Sequence, residues 1–242
     1  MQGHAYDKAK SGYVNLLIGS SSKSHGDDEA MVNSRTRFLN KGHYDPLKNR
    51  LIELLRDLQI TSLVDLGCGE GSYTNAIQEA LNIPVIGIDL SKTALKIASK
   101  SNKKVDYVLA NITRSPLSDQ DTDAVLSVFS PIDLNEVVRI SKRFLIFVRP
   151  CPDHLLELKQ ELYEKVSKNP VPDTNLTHMR CMLEEELKFT MNLDQDSITD
   201  LLDMTPYVHT SSKEAVLKVK ALPHLAISAQ FHISIFRILH DT

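Results

Sequence analysis

The sequence predicts an α/β fold: a doubly wound, mostly parallel sheet of seven strands with an antiparallel edge. Three observations lead there. Short apolar runs alternate with stretches of helical periodicity through the middle of the chain. Those runs are apolar on both faces, as strands are when helices cover a parallel sheet on both sides. After residue 180 the runs lengthen and only one helical stretch separates them, which suits an antiparallel edge.

Residues 1–30 are loop-rich and end in the low-complexity run Gly-Ser-Ser-Ser-Lys-Ser-His-Gly-Asp-Asp-Glu-Ala30. A helical pattern starts at Glu29 and closes with Phe38 and Leu39 before Gly42. A second starts near Asp45-Pro46, a capping residue followed by a first-turn proline. Its apolar face is Leu47, Leu51, Leu54, Leu55 and Leu58. Strands are then expected at Ser62–Leu66, Val85–Asp89, Val105–Ala110, Ala124–Phe129 and Phe144–Val148. Between and after them, helices are expected at Ser72–Ala80, Lys92–Lys100, Leu134–Ser141 and His154–Val166. The edge consists of strands at Glu186–Leu193 and Ala226–Ile238, with a helix near Asp196–Leu202. No linker divides the chain after residue 60, so the expected units are an N-terminal segment over 1–45 and one main domain over 46–242.

Composition narrows the class. In 242 residues, 42% are hydrophobic and 24% charged, which is globular usage and argues against disordered or fibrous chains. No apolar run approaches the roughly 18 to 20 residues that cross a bilayer. No signal-peptide core precedes a small-residue cleavage site, so a cytoplasmic protein is expected. Cys68, Cys151 and Cys181 form no C-x-x-C pair, which leaves disulfide frameworks and cysteine-rich metal sites unsupported. A net charge of −3 gives no global electrostatic reason to expect nucleic acid. Lys92, Lys96 and Lys100 lie four apart on one helix face, with Lys103 and Lys104 beyond, and read as a solvated surface.

The strongest local pattern is Ser62-Leu-Val-Asp-Leu-Gly-Cys-Gly-Glu-Gly-Ser-Tyr-Thr74. A strand runs into Asp65, and Gly67, Gly69 and Gly71 follow before a helix whose first N–H groups lack partners. A dinucleotide loop reads G-x-G-x-x-G. Here the glycines are spaced by two throughout and an acidic residue precedes them, which resembles motif I of the S-adenosylmethionine-dependent methyltransferases of Rossmann-like fold. The next strand ends in Asp89, 18 residues beyond Gly71, placed to accept from both ribose hydroxyls. Asn111, beside Ile112, follows the third strand where such folds hold the adenine edge, although an ordinary Asn turn fits there too. Phe129 follows the fourth strand and would face the transferring methyl. With Cys68 and Glu70 inside the loop and Leu90 beside Asp89, these are the expected cofactor contacts.

Further segments narrow the resemblance. They are Ala9-Lys-Ser-Gly-Tyr-Val-Asn-Leu-Leu17, Gly26-Asp-Asp-Glu-Ala-Met31, Arg35-x-x-Phe-Leu39, Gly42-His-Tyr-Asp-Pro-Leu47, Gly87-Ile-Asp-Leu-Ser-Lys92, Pro152-x-His154-Leu-x-Glu157-Leu158 and Met204-Thr-Pro-Tyr207. With the glycine loop they resemble the bacterial large-subunit (23S) ribosomal RNA (guanine-N1) methyltransferases over nearly the whole chain. The resemblance implies S-adenosyl-L-methionine as cofactor, ribosomal RNA as substrate and a role in rRNA processing. It also implies two more cofactor contacts, Tyr44 and His154, and admits a homodimer. It departs at the N-terminus. The family's zinc module of three cysteines and one histidine is matched only by Met1–Asp7, where His4 aligns with the histidine and no cysteine occurs. A structural zinc wants four ligands, so no metal is expected, and residues 1–45 read as the remnant of a substrate-recognition module. A second departure is Ser141-Lys-Arg-Phe144, where the family has a glycine turn.

The expected reaction is methyl transfer to guanine N1, whose proton must leave as the bond forms. Asp133, Glu136, Asp153 and His154 qualify as acceptors by position alone, and no catalytic residue is assigned. Two alternatives stay open: a methyltransferase acting on a small molecule or protein, and a catalytically silent S-adenosylmethionine-binding partner protein.

Overall fold

A computed structural model of the protein describes residues 8–17 and 28–240. His4 lies outside them. One eight-stranded sheet runs through the described residues in the order β1-β4-β3-β2-β5-β6-β8-β7. Its strands are β1 (Val14–Asn15), β2 (Leu63–Leu66), β3 (Val85–Asp89), β4 (Asp106–Leu109), β5 (Thr122–Val128), β6 (Ser141–Pro150), β7 (Met179–Asp194) and β8 (His224–Ile238). Strands β1 to β6 are mutually parallel, whereas β8 pairs antiparallel with both β6 and β7. The seven expected strands are present, and the two-residue β1 adds an eighth at the edge beside β4.

The helices are α1 (Glu29–Asn40), α2 (Asp45–Asp57), α3 (Ser72–Leu81), α4 (Lys92–Ser101), α5 (Leu134–Ile140), α6 (Leu156–Leu162), α7 (Gln195–Asp203), α8 (Tyr207–Thr210) and α9 (Lys213–Lys220). Two differ from expectation in ways with a clear physical cause. Asp45 does not cap α2: Tyr44 holds that position without a side-chain bond, while Asp45 is already helical and pairs with Lys48 at 2.6 Å. The helix expected from His154 starts only at Leu156. Leu155 sits in the left-handed region at φ +57, and its N–H is taken by the Ser228 carbonyl of β8. The chain leaves that helix at Tyr163, short of Val166.

Both faces of the sheet are buried, because side chains alternate across each strand. On one face Leu63, Ala124, Leu126, Ile146 and Val148 pack under Leu51 and Leu55 of α2, Ile77 of α3, Leu95 of α4, Leu158 of α6 and Leu201 of α7. On the other, Val64, Leu66, Ile88, Val125, Leu145 and Phe236 meet Val137 and Ile140 of α5. Asp28, Ser91, Asp133, Asp194 and Ser212 cap α1, α4, α5, α7 and α9 through their side-chain oxygens. Lys92, Lys96 and Lys100 form an exposed face of α4. No helix among the described residues is long and apolar enough to cross a membrane.

The chain runs β2, β3, β4 to one side and then returns to place β5 on the other side of β2. The carboxyl ends of β2 and β5 therefore flank the topological switch point, where α/β sheets bind ligands.

Candidate functional site

A cavity of about 840 Å³ opens at that switch point. Its floor is the turn after β2. Gly67 and Cys68 both donate backbone N–H to the Ile88 carbonyl at 2.8 and 3.1 Å, which ties the loop to β3. Gly67 takes φ +80 and Gly71 φ +84, conformations that side chains resist. Space excludes a side chain as well: a Cβ on Gly67 would stand 2.0 Å from Ser130 Oγ, and one on Gly71 2.5 Å from Tyr107 Oη. A Cβ on Gly69 would have no neighbour nearer than an Arg35 guanidinium nitrogen at 3.8 Å.

Asp89, at the end of β3, accepts from the Gly69 N–H at 2.8 Å and from the Ser91 N–H at 2.6 Å. These bonds fix the orientation of the carboxylate at the rim of the cavity. Asp65 is buried behind the loop and accepts from Thr74 Oγ1 at 2.6 Å. Burial pushes its carboxyl up to about 7, against the Thr74 bond and with the help of the Asp89 and Glu70 charges. Burial likewise raises Glu70, with Arg35 opposing. The Cys68 thiol is driven well up by burial and by Asp89, so it is no thiolate nucleophile.

The opposite wall is aromatic. Tyr44 is buried with its ring edge-on to Phe38 at 5.2 Å and to Phe231 at 5.0 Å. His154 lies 4.9 Å from Phe231 and 5.8 Å from Phe129 between ring centroids. Burial lowers the His154 pKa to about 4, partly offset by its Gln230 backbone contact. Nδ1 lies against that backbone at 2.9 to 3.1 Å, which leaves Nε2 as the nitrogen available to a ligand. Phe129 adopts φ +56, a strained conformation for a non-glycine residue, and stays 41% exposed at the cavity wall.

The cavity thus gathers Tyr44, Asp65, Gly67, Cys68, Gly69, Glu70, Asp89, Leu90, Ile112, Phe129 and His154. It does not gather Gly71 or Asn111. Gly71 acts from beneath, as the residue before α3. Asn111 is exposed and turns its Oδ1 back onto Thr113, accepting from the backbone N–H and the hydroxyl at 2.9 Å each, an ordinary Asn turn. Of the four proton-acceptor candidates only His154 reaches the wall. Asp133 caps α5, Glu136 is bound by Arg139 and Ser115, and Asp153 pairs with Lys168.

Arg35, Tyr73 and Arg149 are among the wall residues that had no expected role. Arg35 and Tyr73 stand over the glycine loop, and the Tyr73 hydroxyl is buried with no hydrogen-bond partner. Arg149 closes the far end at the tip of β6. Arg149 was open to notice, as a cation ending an apolar strand; the other two are set by tertiary packing. Met204, Thr205, Pro206 and Tyr207 also line the wall.

The cavity suits S-adenosylmethionine. The two glycines make a cradle that any Cβ would fill, an acidic side chain stands at its rim, and an enclosed hydroxyl lacks a partner. Comparison with known proteins agrees. A family model described as a methyltransferase domain matches residues 63–150. The Bacillus subtilis (strain 168) protein YxjB, provisionally named a 23S rRNA (guanine-N1) methyltransferase, is 32% identical over 97% of this chain and 88% of its own length. The 23S rRNA (guanine(748)-N1) methyltransferase of Streptomyces fradiae is 29% identical over 91% and 83%. Among solved structures, a chain from the complex between the Haloferax volcanii Trm112 methyltransferase activator and a provisionally named methyltransferase matches with a TM-score of 0.56. The identity is 16%, over 90% of this chain and 100% of that one. The [4+2]-cyclase SpnF matches at 0.51 with 14% identity over 79% and 81%, so the likeness carries the fold and not the reaction.

Proposed function

The chain belongs to the family of the 23S rRNA (guanine-N1) methyltransferases and is an S-adenosylmethionine-dependent methyltransferase, and from that premise we propose that it methylates N1 of a guanine in large-subunit ribosomal RNA. The observation that carries the reading is the near full-length likeness to YxjB. Residues 1–45 belong to it as a segment that helps recognise the substrate, since α1 supplies Met31, Arg35 and Leu39 to the cavity wall.

In this reading the glycine loop and Asp89 hold the cofactor, Asp89 accepting from the ribose hydroxyls. Ile112 and Leu90 flank the adenine, and Arg35 with Tyr73 receives the amino-acid end. Tyr44, Phe129 and His154 enclose the sulfonium side in apolar surface. S-adenosylmethionine supplies a methyl that is already electrophilic, so the residues contribute mainly alignment and exclusion of water. A cavity of about 840 Å³ is within the range of small-molecule sites, roughly 300–1,000 Å³. It therefore receives a cofactor and one flat base, which requires an unpaired or extruded nucleotide.

The test is transfer of label from S-adenosylmethionine to unmodified 23S rRNA, with Asp89→Ala alongside. Label mapping to a guanine N1 is expected. Loss of a charged hydrogen-bond acceptor, worth about 1.5–3 kcal/mol, should weaken cofactor binding by roughly ten- to a hundredfold. Cofactor binding without transfer to the RNA would remove the proposal.

A further inference from the structure

We infer that Arg149 grips the acceptor guanine, donating to its O6 and stabilising the negative charge that spreads there as N1 loses its proton. The inference rests on the proposed guanine-N1 reaction and adds a specificity and rate-determining contact to it.

The placement comes from the sheet. The cavity crosses the carboxyl ends of β3, β2, β5 and β6, which are successive neighbours. Strands lie about 4.8 Å apart, so Arg149 on β6 stands about 14 Å along the sheet from Asp89 on β3. The charged residues Asp65, Glu70 and Asp89 all sit at the β2–β3 end. Among the described residues lining the cavity, Arg149 is the one charged side chain at the β5–β6 end, beyond Phe129. A cofactor laid over β3 and β2 leaves the β5–β6 end to the acceptor.

The guanidinium is held in place and is not neutralised. Its central carbon lies 4.6 Å from the Phe147 ring centroid. Nη1 donates to the Asp173 backbone carbonyl at 2.8 Å, and Nη2 to Ser234 Oγ at 3.4 Å. Ser234 Oγ is 3.0 Å from His232 Nδ1, and His232 Nε2 is 2.8 Å from Glu184 Oε1. The carboxylate of Glu184 is therefore separated from the guanidinium by two side chains, and no ion pair forms. Five N–H groups are available; two are used, and Nε is enclosed without a partner. Keeping a half-buried cation without a counter-ion is costly, and a ligand carrying developing negative charge would supply one. Burial lowers the Arg149 pKa, with Asp173, Glu184 and Cys181 opposing; an arginine stays charged regardless.

Guanine meets the requirement. Its O6 is an acceptor beside N1, and O6 with N7 matches the two-pronged geometry of a guanidinium. In the transfer, N1 bonds to the methyl carbon while that carbon's bond to sulfur breaks and the electron pair returns to sulfur. The N1–H bond breaks and its proton passes to water. A cation at O6 favours that loss and so brings the reactive form of the base within reach at neutral pH.

The experiment compares wild type, Arg149→Met and Arg149→Lys in methyl transfer to 23S rRNA at saturating RNA and cofactor, from pH 6 to 9.5. The groups facing Arg149 that titrate are His232 on β8, Cys181 and Glu184 on β7 and Asp173 in the preceding loop. Removal of one preorganised donor at a developing oxyanion costs about 10²–10³ in kcat, and that fall is expected for Arg149→Met, with cofactor affinity unchanged. The rate of Arg149→Met should still climb at a pH where wild type has levelled, and Arg149→Lys should restore part of the rate and of the plateau. A uniform fall with an unchanged pH profile, or a loss confined to the KM for RNA, would overturn the assignment and leave Arg149 a fastener for residues 163–178. If Arg149→Met does not fold, the profile of Arg149→Lys decides by the same criterion. Absence of transfer by wild type would instead strike the proposed function itself.

Discussion

Replacing Gly67 by alanine probes the contact between the loop after β2 and the turn after β5. At φ +80 the backbone alone resists the change, at about 1–2 kcal/mol for a left-handed L-residue. The new Cβ would stand 2.0 Å from Ser130 Oγ and 2.4 Å from Ser130 Cβ. The hydroxyl can rotate away, but Ser130 Cβ cannot retreat without moving the backbone of 129–131. Overpacking of this kind costs about 1–3 kcal/mol. The total of about 2–5 kcal/mol is a large part of the roughly 5–15 kcal/mol that stabilises a domain. Ser130→Gly separates the two contributions, because it removes both clashing atoms and leaves Ser130 Cα at 3.8 Å as the nearest. The double variant should therefore recover the packing part and keep the conformational part. Urea unfolding of wild type, both single variants and the double variant gives the coupling energy directly. If Gly67→Ala lies within about 0.5 kcal/mol of wild type, or the two changes add within about 0.5 kcal/mol, the contact does not exist as described.

The other two glycines of the loop should rank in order: Gly71→Ala should lose stability like Gly67→Ala, since its Cβ meets Tyr107 Oη at 2.5 Å and Ala98 Cβ at 2.8 Å, while Gly69→Ala, at φ +55 with open space around its Cβ, should lose the conformational part alone; melting temperatures of the two variants check the order. Phe129→Gly should be at least as stable as Phe129→Ala by thermal melting, because glycine relieves the strain at φ +56, while both lower methyl transfer. Asp65, raised to about 7 when folded, binds a proton more tightly folded than unfolded, so its contribution is full below pH 4 and is lost as pH rises through 7. Asp65→Asn should remove that decline, seen as a difference in urea stability from wild type that grows between pH 4.5 and 7.5. His154, lowered to about 4, should stay neutral at pH 6, where an ordinary histidine of pKa about 6.5 is mostly charged; a ring-signal NMR titration with a midpoint near 6.5 would contradict its burial.

The central strands were legible because each is apolar on both faces, and the glycine spacing with Asp89 marks the switch point in the sequence itself. Features set by long-range pairing were not. Val14 and Asn15 form a strand only because Val108 and Leu109 offer an open edge. The start of α6 depends on β8 claiming the Cys151 and Leu155 N–H groups, from residues more than seventy positions later. Helix α9 is short, and Val219 is its one buried residue, so its periodicity is weak. At the site, the loop and Asp89 are local in sequence and Arg149 ends an apolar strand, whereas Arg35 and Tyr73 are aimed at the cavity by tertiary packing. Asn111 stood where either an adenine contact or a plain turn would fit, and its Oδ1 is bonded to Thr113 as in a plain turn.

The strand order β6-β8-β7 has a consequence for assembly. The strand made later, β8, occupies the inner position, and β7 touches the rest of the sheet only through it. Until β8 exists, β6 presents an open edge carrying the apolar side chains Leu145, Ile146 and Phe147, an invitation to wrong partners. The fifteen paired positions of β7 and β8, from Met179 with Ile238 to Asp194 with His224, are 59 to 30 residues apart in sequence, against 93 to 81 for the β6–β8 pairs from Phe144 with Arg237 to Pro150 with Phe231, so the β7–β8 contacts close the shorter loops. His154 and Arg149 lean on β8 through Gln230 and Ser234. The far wall of the cavity therefore depends on β8, which follows every other described strand in the chain, and a polypeptide that has made its glycine loop but not β8 lacks the partners of both residues.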